Sequence, residues 1–337
     1  MDRQTRKLQE VGGGTFTVSV PKEWATEHGL TAGSAIHLYS QVDGSLVVRG
    51  SDEEGKLLDG TRIEIDNEDP NLLARTVRAA YATGFESITL TCTDRWTDEQ
   101  RRTATTIGRT LTGMEIVGVE DTEIELRNVI DSSDVSIQQS VTQLQFITLS
   151  MYRSAFDALF QPNSKTTDEL SEREEEAKKV FGLITRYFNR SLITFEDLHH
   201  LDVRRPELFD YYCVARQLTA IGEQVVSVDT ALKQTDITIS NELRMEMETI
   251  TADTADVLED ATAAVLSTPR PTVDQAHEAR LRCEELDGTI ESLDRKLFER
   301  SPTEAYVMTK ILTTLSTIVD HGGRIAEIAI QANNRQQ

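Results

Sequence analysis

Ser316, Asp320, Arg324 and Glu327 are spaced by three or four residues, so they share one face of an α-helix. Carboxylates, a hydroxyl and a guanidinium in that spacing could hold a metal or form a catalytic face. They could equally pair among themselves as a solvated, salt-bridged face. Beside them runs an apolar stripe: Leu315, Ile318, Gly322, Ile325 and Ala329. A weaker copy lies upstream. Leu218, Ile221, Val225, Val228 and Leu232 are its apolar stripe, and Thr219, Glu223 and Ser227 its polar one. Leu218 and Leu315 are 97 residues apart, and so are Glu223 and Asp320. The matched pair implies a duplicated helical unit. His199-His200 is the other tempting pair, but adjacent residues point to different sides of a helix, and the segment reads as a surface turn. No nucleophile–base arrangement is legible, so the chain is not expected to be an enzyme.

The elements that position these stripes are long helices. From Val135 to the end the periodicity is helical, broken at 161–168, 199–205, 234–238, 267–271 and 300–302. Five breaks give six helices, and the matched helices are the third and the sixth. Thr272-Val-Asp-Gln275 and Ser301-Pro-Thr-Glu304 read as capping boxes, with Pro206 and Pro302 at first helical positions. The second and fifth helices both carry Glu-Ala-basic (Glu176-Ala-Lys178 and Glu278-Ala-Arg280). The expected architecture is two three-helix bundles in tandem, 135–233 and 238–333.

The preceding segment, 57–134, reads as a small α/β connector. Strands are expected at 61–65, 86–91, 114–119 and 123–126. Helices are expected from Asp69-Pro70 to Thr83, closed by Gly84, and from the Thr97–Gln100 capping box to Leu111, closed by Gly113. It has no glycine-rich phosphate loop and no acid–base pair, so it reads as a spacer or dimerisation element.

Residues 1–50 form a third kind of segment. Thr15–Val20 alternates as a strand, Pro21 opens a two-turn helix ending at Gly29, and 35–40 and 46–49 are strands around an Asp43-Gly44 turn. A unit this small cannot bury a sufficient core alone and is expected to dimerise.

Composition adds context. The chain has 337 residues, 57 acidic and 35 basic, with a net charge of −22. Only nine of the basic residues are Lys. High acidity with scarce Lys suits a halophilic proteome, where a Debye length of ~3 Å makes the self-repulsion tolerable. Residues 1–50 are neutral, with five acids and five bases, so the charge lies elsewhere. A neutral module on an acidic chain is a candidate to face a polyanion. Cys92, Cys213 and Cys283 are widely spaced, which fits reduced thiols in a cytoplasmic protein. No membrane span or signal-peptide core is legible.

Two resemblances sharpen this reading. Arg6-Lys-Leu-Gln-Glu-Val-Gly-Gly-Gly-Thr-Phe-Thr-Val-Ser-Val-Pro21, followed by Lys22-Glu-Trp24 and Gly29-Leu-Thr-Ala-Gly33, resembles the SpoVT/AbrB (AbrB/MazE-type) swapped-hairpin DNA-binding domain. That resemblance implies an interleaved, dimeric β-barrel with basic loops on DNA, drawing on Arg3, Arg6, Lys7, Thr15 and Lys22. Family members often carry Arg or Lys where Gly13 and Gly14 stand here. Val319-Asp-His-Gly-Gly-Arg-Ile-Ala-Glu327 resembles the signature of the third helix of a PhoU bundle, and Arg216-Gln-Leu-Thr-Ala-Ile-Gly-Glu223 its counterpart. PhoU proteins are two such bundles in tandem. Their signature carries a Glu-x-x-x-Asp pair that can clamp a divalent metal or iron. Here Thr219 and Ser316 replace the first member, leaving Glu223 and Asp320. Glu327 and Asp287 are the residues that could join Asp320.

Together the resemblances imply a DNA-binding regulator of phosphate uptake, with a PhoU-like module controlling an N-terminal head. Its expected partners are promoter DNA of phosphate-uptake genes, a phosphate ABC transporter ATPase or related transporter, and a second copy through the head. The alternative is a PhoU-type interaction protein that restrains a transporter without binding DNA.

Overall fold

The computed structural model describes residues 4–40, 44–50, 57–65, 69–160, 167–233, 240–267, 272–300 and 302–335. It separates into two compact units, 1–57 and 58–337.

In the first unit, strands β1 (Gln9–Val11) and β2 (Thr15–Thr17) pair as an antiparallel hairpin, with Glu10 opposite Phe16. The turn between them uses Gly12 and Gly13, whose φ angles of 68° and 77° suit glycine alone. The sequence placed only the second of these strands, because Gly12–Gly14 reads as a loop and hides the hairpin. Helix α1 (Lys22–Glu27) follows. Pro21, expected as the first helical residue, is its N-cap, so the helix starts one position later at Lys22. Strands β3 (His37–Ser40) and β4 (Leu46–Arg49) form a second antiparallel hairpin. Asp43 of the expected turn lies outside the described residues. Each sheet has two strands, and no barrel closes within one chain among the described residues.

The second unit opens with strand β5 (Gly60–Glu64), helix α2 (Pro70–Thr83), strand β6 (Ser87–Thr91), helix α3 (Asp98–Thr110) and strands β7 (Met114–Val119) and β8 (Glu123–Asn128). The sheet order is β5-β6-β8-β7, with β5 parallel to β6 and the other pairs antiparallel. Local chemistry fixes the helix ends. Asp69 accepts from the Asn71 amide, and Thr97 and Gln100 form a reciprocal capping box. Gly84 ends α2 in the left-handed region at φ 109°. Leu73, Val77, Ile88, Leu90 and Leu126 form the buried layer between helices and sheet.

The helical part comprises α4 (Ile137–Phe160), α5 (Thr167–Ile193), a short α6 (Phe195–His200), α7 (Arg205–Lys233), α8 (Asn241–Leu266), α9 (Val273–Arg300) and α10 (Pro302–Asn334). The fold is mainly helical. Helices α4, α5 and α7 form one three-helix bundle and α8, α9 and α10 the other. The two share one core, because α7 packs on α10 and α4 on α8. Both apolar stripes are inside: Leu218, Ile221, Val225 and Val228, and Leu315, Ile318, Ile325 and Ala329, are all buried. The duplicated helices therefore meet between the two bundles, inside the second unit. The Thr272–Gln275 capping box forms, while Ser301 and the Glu304 side chain lie outside the described residues. The sequence read 199–205 as a turn, but α6 runs to His200. There the His200 ring nitrogen lies 2.9 Å from the Ser132 hydroxyl. The His199 side chain lies outside the described residues.

Candidate nucleic-acid interface, bundle carboxylates and interdomain joint

Arg6, Lys7, Thr15 and Lys22 are all exposed on the first unit. Arg6 donates to the Gln4 side chain at 2.6 Å, Thr15 begins β2, and Lys22 begins α1. Arg3 lies outside the described residues. The surface of this unit is unusually apolar. Leu8 is 69% exposed, Phe16 68%, Leu38 58% and Val11 55%. Each would contribute roughly 1.5–3 kcal/mol if fully buried. Two-stranded hairpins with outward-facing apolar residues are at best marginally stable by themselves.

The bundle carboxylates do not converge. Asp320 pairs with Arg324 at 2.8 Å, and Glu327 with Arg280 at 3.2 Å. Asp287 of α9 does meet α10, accepting a hydrogen bond from the Ser316 hydroxyl. Serine thus stands as a donor to the very carboxylate that could have joined a ligand set. Glu223 is exposed on the other bundle. Among the described residues no three metal-ligating side chains come together.

His321 couples the duplicated helices. Its Nδ1 lies 2.7 Å from the Gln217 side-chain oxygen of α7. Burial, reinforced by Arg324 and opposed by Asp320, lowers its pKa. The neutral ring is therefore favoured in the fold. That contribution is complete above the unfolded value of about 6.5 and is lost as pH falls from there through the lower folded value. His321→Gln should flatten the acid limb of the stability curve below about pH 6.5 and leave stability at pH 8 nearly unchanged. Chemical denaturation at pH 5.0, 6.5 and 8.0 measures this; an unaltered acid limb would refute the assignment.

The strongest charged arrangement in the chain was not legible as a site. Arg186 on α5 has 0% exposure of its side chain. Its Nη1 donates to the carbonyls of Tyr81 (3.2 Å) and Phe85 (2.8 Å). Asn189 donates to the carbonyl of Ala82 at 2.7 Å, and Arg190 to that of Gly84 at 2.8 Å. These are the carbonyls at and just beyond the C-terminus of α2, where a helix has no partners of its own and carries partial negative charge. Arg186 also lies over the Tyr81 ring, 5.2 Å from its centroid. Glu86 pairs with Arg190, lies 3.5 Å from Arg186 Nη2, and accepts from Asn128. Asp197 holds Arg190 Nε at 3.0 Å. Burial lowers the Arg186 pKa, with Glu86 opposing, and desolvation raises that of Tyr187 to about 12. The α/β module is thus clamped to the first bundle by one face of α5. Arg186, Asn189 and Arg190 sit at i, i+3 and i+4, and that spacing was the only signal in the sequence.

Comparison with known proteins gives two similarities. Residues 9–54 match the family model described as antidote-toxin recognition MazE, bacterial antitoxin. The N-terminal unit is therefore an AbrB/MazE-like, antitoxin-type module. The chain is also similar to the crystal structure of the phosphate transport system regulatory protein PhoU from Streptococcus pneumoniae. That similarity has 14% identity and a TM-score of 0.48, covering 58% of this chain and 91% of that one. No curated protein matches the chain. Among the described residues no helix is long and apolar enough to cross a membrane.

Proposed function

We propose that this chain is a DNA-binding transcriptional regulator of phosphate uptake, acting in the cytoplasm as a homodimer through residues 1–50. Domain roles follow the sequence: a head at 1–50, a connector at 57–134, and bundles at 135–233 and 238–333 that bind an effector or transporter. The observation that carries the reading is the N-terminal unit. It has the antitoxin-type match, and its apolar residues face outward where a second copy would cover them. Interleaving two copies would bury Phe16, Leu38 and Val11 while leaving Arg6, Lys7, Thr15 and Lys22 outside to meet DNA. The phosphate assignment rests on the two signature segments, 216–223 and 319–327, and on the burial of their apolar residues between the paired bundles. Contact of the bundles with a transporter or ligand would shift the geometry of the two heads and so their operator affinity.

A gel shift on the chain's own promoter and on a phosphate-transporter promoter tests this. Specific retardation is expected, with affinity falling steeply with salt. If Arg6, Lys7 and Lys22 of both copies meet phosphates, the slope of log K against log salt is about −5. A folded dimer that retards neither promoter would sink the DNA-binding reading. The second reading, an interaction protein that restrains a phosphate transporter, is favoured by one observation. Gly12 and Gly13 at the hairpin tip adopt left-handed backbone, and glycine rather than a cation also stands at Gly14. Regulation that survives removal of residues 1–50, with dimerisation restored artificially, would select that reading.

A further inference from the structure

A cleft of about 480 Å³ lies where α2 and the end of α3 face α5 and α7. That volume is in the range of small-molecule sites. Tyr81, Leu111 and Phe181 supply most of its apolar wall. Gly182 lines it as well, and a Cβ there would sit in ordinary contact with the Tyr81 ring at 3.5 Å, so a longer side chain would grow into the cleft. Arg78 from the α/β module and Lys179 from the bundle both line it. Neither has a carboxylate partner among the described residues. Lys178 and Glu175 line it too, but they pair with each other at 3.2 Å, and Glu174 also holds Lys178 at 2.8 Å. Free cations from two different elements around one cleft are unexpected on a chain of net charge −22. Glu223, the surviving carboxylate of the duplicated stripe, lines the same cleft. In the second bundle the equivalent carboxylate, Asp320, is taken by Arg324.

We propose that this cleft binds a nucleotide, and so bridges the α/β module and the first bundle. The phosphate meets Arg78 and Lys179, the base covers the apolar wall, and Glu223 accepts from a hydroxyl or amine of the ligand. Each part of the lining selects this class. Two free cations call for an anion, preferably one able to take the guanidinium in bidentate fashion. A mainly apolar wall would be left uncovered by inorganic phosphate. A purely apolar anion would leave the Glu223 carboxylate facing it without a donor. The inference does not depend on DNA binding by the head.

The test is calorimetric titration of the full-length protein at 0.15 M salt with the mono-, di- and triphosphates of the four ribonucleosides, inorganic phosphate and the four nucleosides. At least one nucleotide is expected to bind, with its nucleoside and inorganic phosphate each at least tenfold weaker. Arg78 and Lys179 are exposed, so the double reversal Arg78→Glu/Lys179→Glu should fold and weaken binding by about 100-fold. Gly182→Leu fills the cleft and should weaken it at least tenfold. Absence of binding by every nucleotide, equal binding by inorganic phosphate, or undiminished binding by the double variant would each overturn the proposal.

Discussion

Arg186→Ala is expected to lower the stability of the second unit by about 3–5 kcal/mol, the range for removing one member of a buried charged network. The melting temperature should fall by roughly 5–15 °C. The loss has three sources. The carbonyls of Tyr81 and Phe85 lose a charge-assisted donor at the C-terminus of α2. The Tyr81 ring loses its cation, and the residue with the largest fully buried side chain leaves a cavity. Glu86 is the least affected partner, because Arg190 and Asn128 still hold it. Arg186→Lys should recover only part of the loss. A point ammonium cannot reproduce the planar fork that spans two carbonyls and the ring. Among the described residues Arg186 Nε and Nη2 have no hydrogen-bond acceptor, so the guanidinium already sits at some desolvation cost. Arg186→Met should therefore lose less than Arg186→Ala, since it keeps the volume and removes the buried charge. Equilibrium unfolding in urea and hydrogen exchange of the α2–β6 segment are the measurements. Exchange should accelerate most between Tyr81 and Phe85. A loss below 1 kcal/mol in Arg186→Ala would show that packing of α2 against α5, not the clamp, holds the two modules together.

The same residue shows where reading the sequence stops. Long helices were legible because burial repeats every three to four residues, and because caps such as Thr97–Gln100 and Thr272–Gln275 are written in local chemistry. The duplication was legible because the two stripes share one spacing. Arg186 was not, because its partners are main-chain carbonyls about a hundred residues away, and a carbonyl has no letter in the sequence. An Arg in Arg-Tyr-Phe-Asn-Arg reads as exposed until another helix ends against it. Hairpin β1–β2 was hidden for the opposite reason. Its turn is local, but three consecutive glycines carry no side-chain pattern, and the strand pairing and the positive φ angles of Gly12 and Gly13 reveal the hairpin. The stripe residues were located on the correct face, yet their partners decide what the face does. Arg280 comes from α9 to hold Glu327, and Ser316 crosses to Asp287. Neither pairing follows from spacing within one helix.

Phe16→Asp is expected to convert a dimer into a monomer and to weaken binding to promoter DNA by about 10²–10⁴-fold, the loss of two-headed attachment. Phe16 sits opposite Glu10 in the β1–β2 hairpin and is 68% exposed in one chain. If two heads interleave, it moves from water into their shared core, where an unpaired carboxylate costs several kcal/mol. The control is Phe146→Asp on α4. Phe146 is 74% exposed, more than Phe16, but lies on the helical bundle. Replacing it removes the same ring from a comparably open position without touching the head. Light scattering at micromolar concentration should give the monomer mass for Phe16→Asp and the dimer mass for Phe146→Asp. Fluorescence anisotropy on labelled promoter DNA should follow the same division. Residues Arg6, Lys7 and Lys22 are unchanged in both variants, so a selective loss in Phe16→Asp separates avidity from charge. If Phe16→Asp remains a dimer and Phe146→Asp does not, the copies associate through their bundles. The apolar surface of the head would then need another occupant.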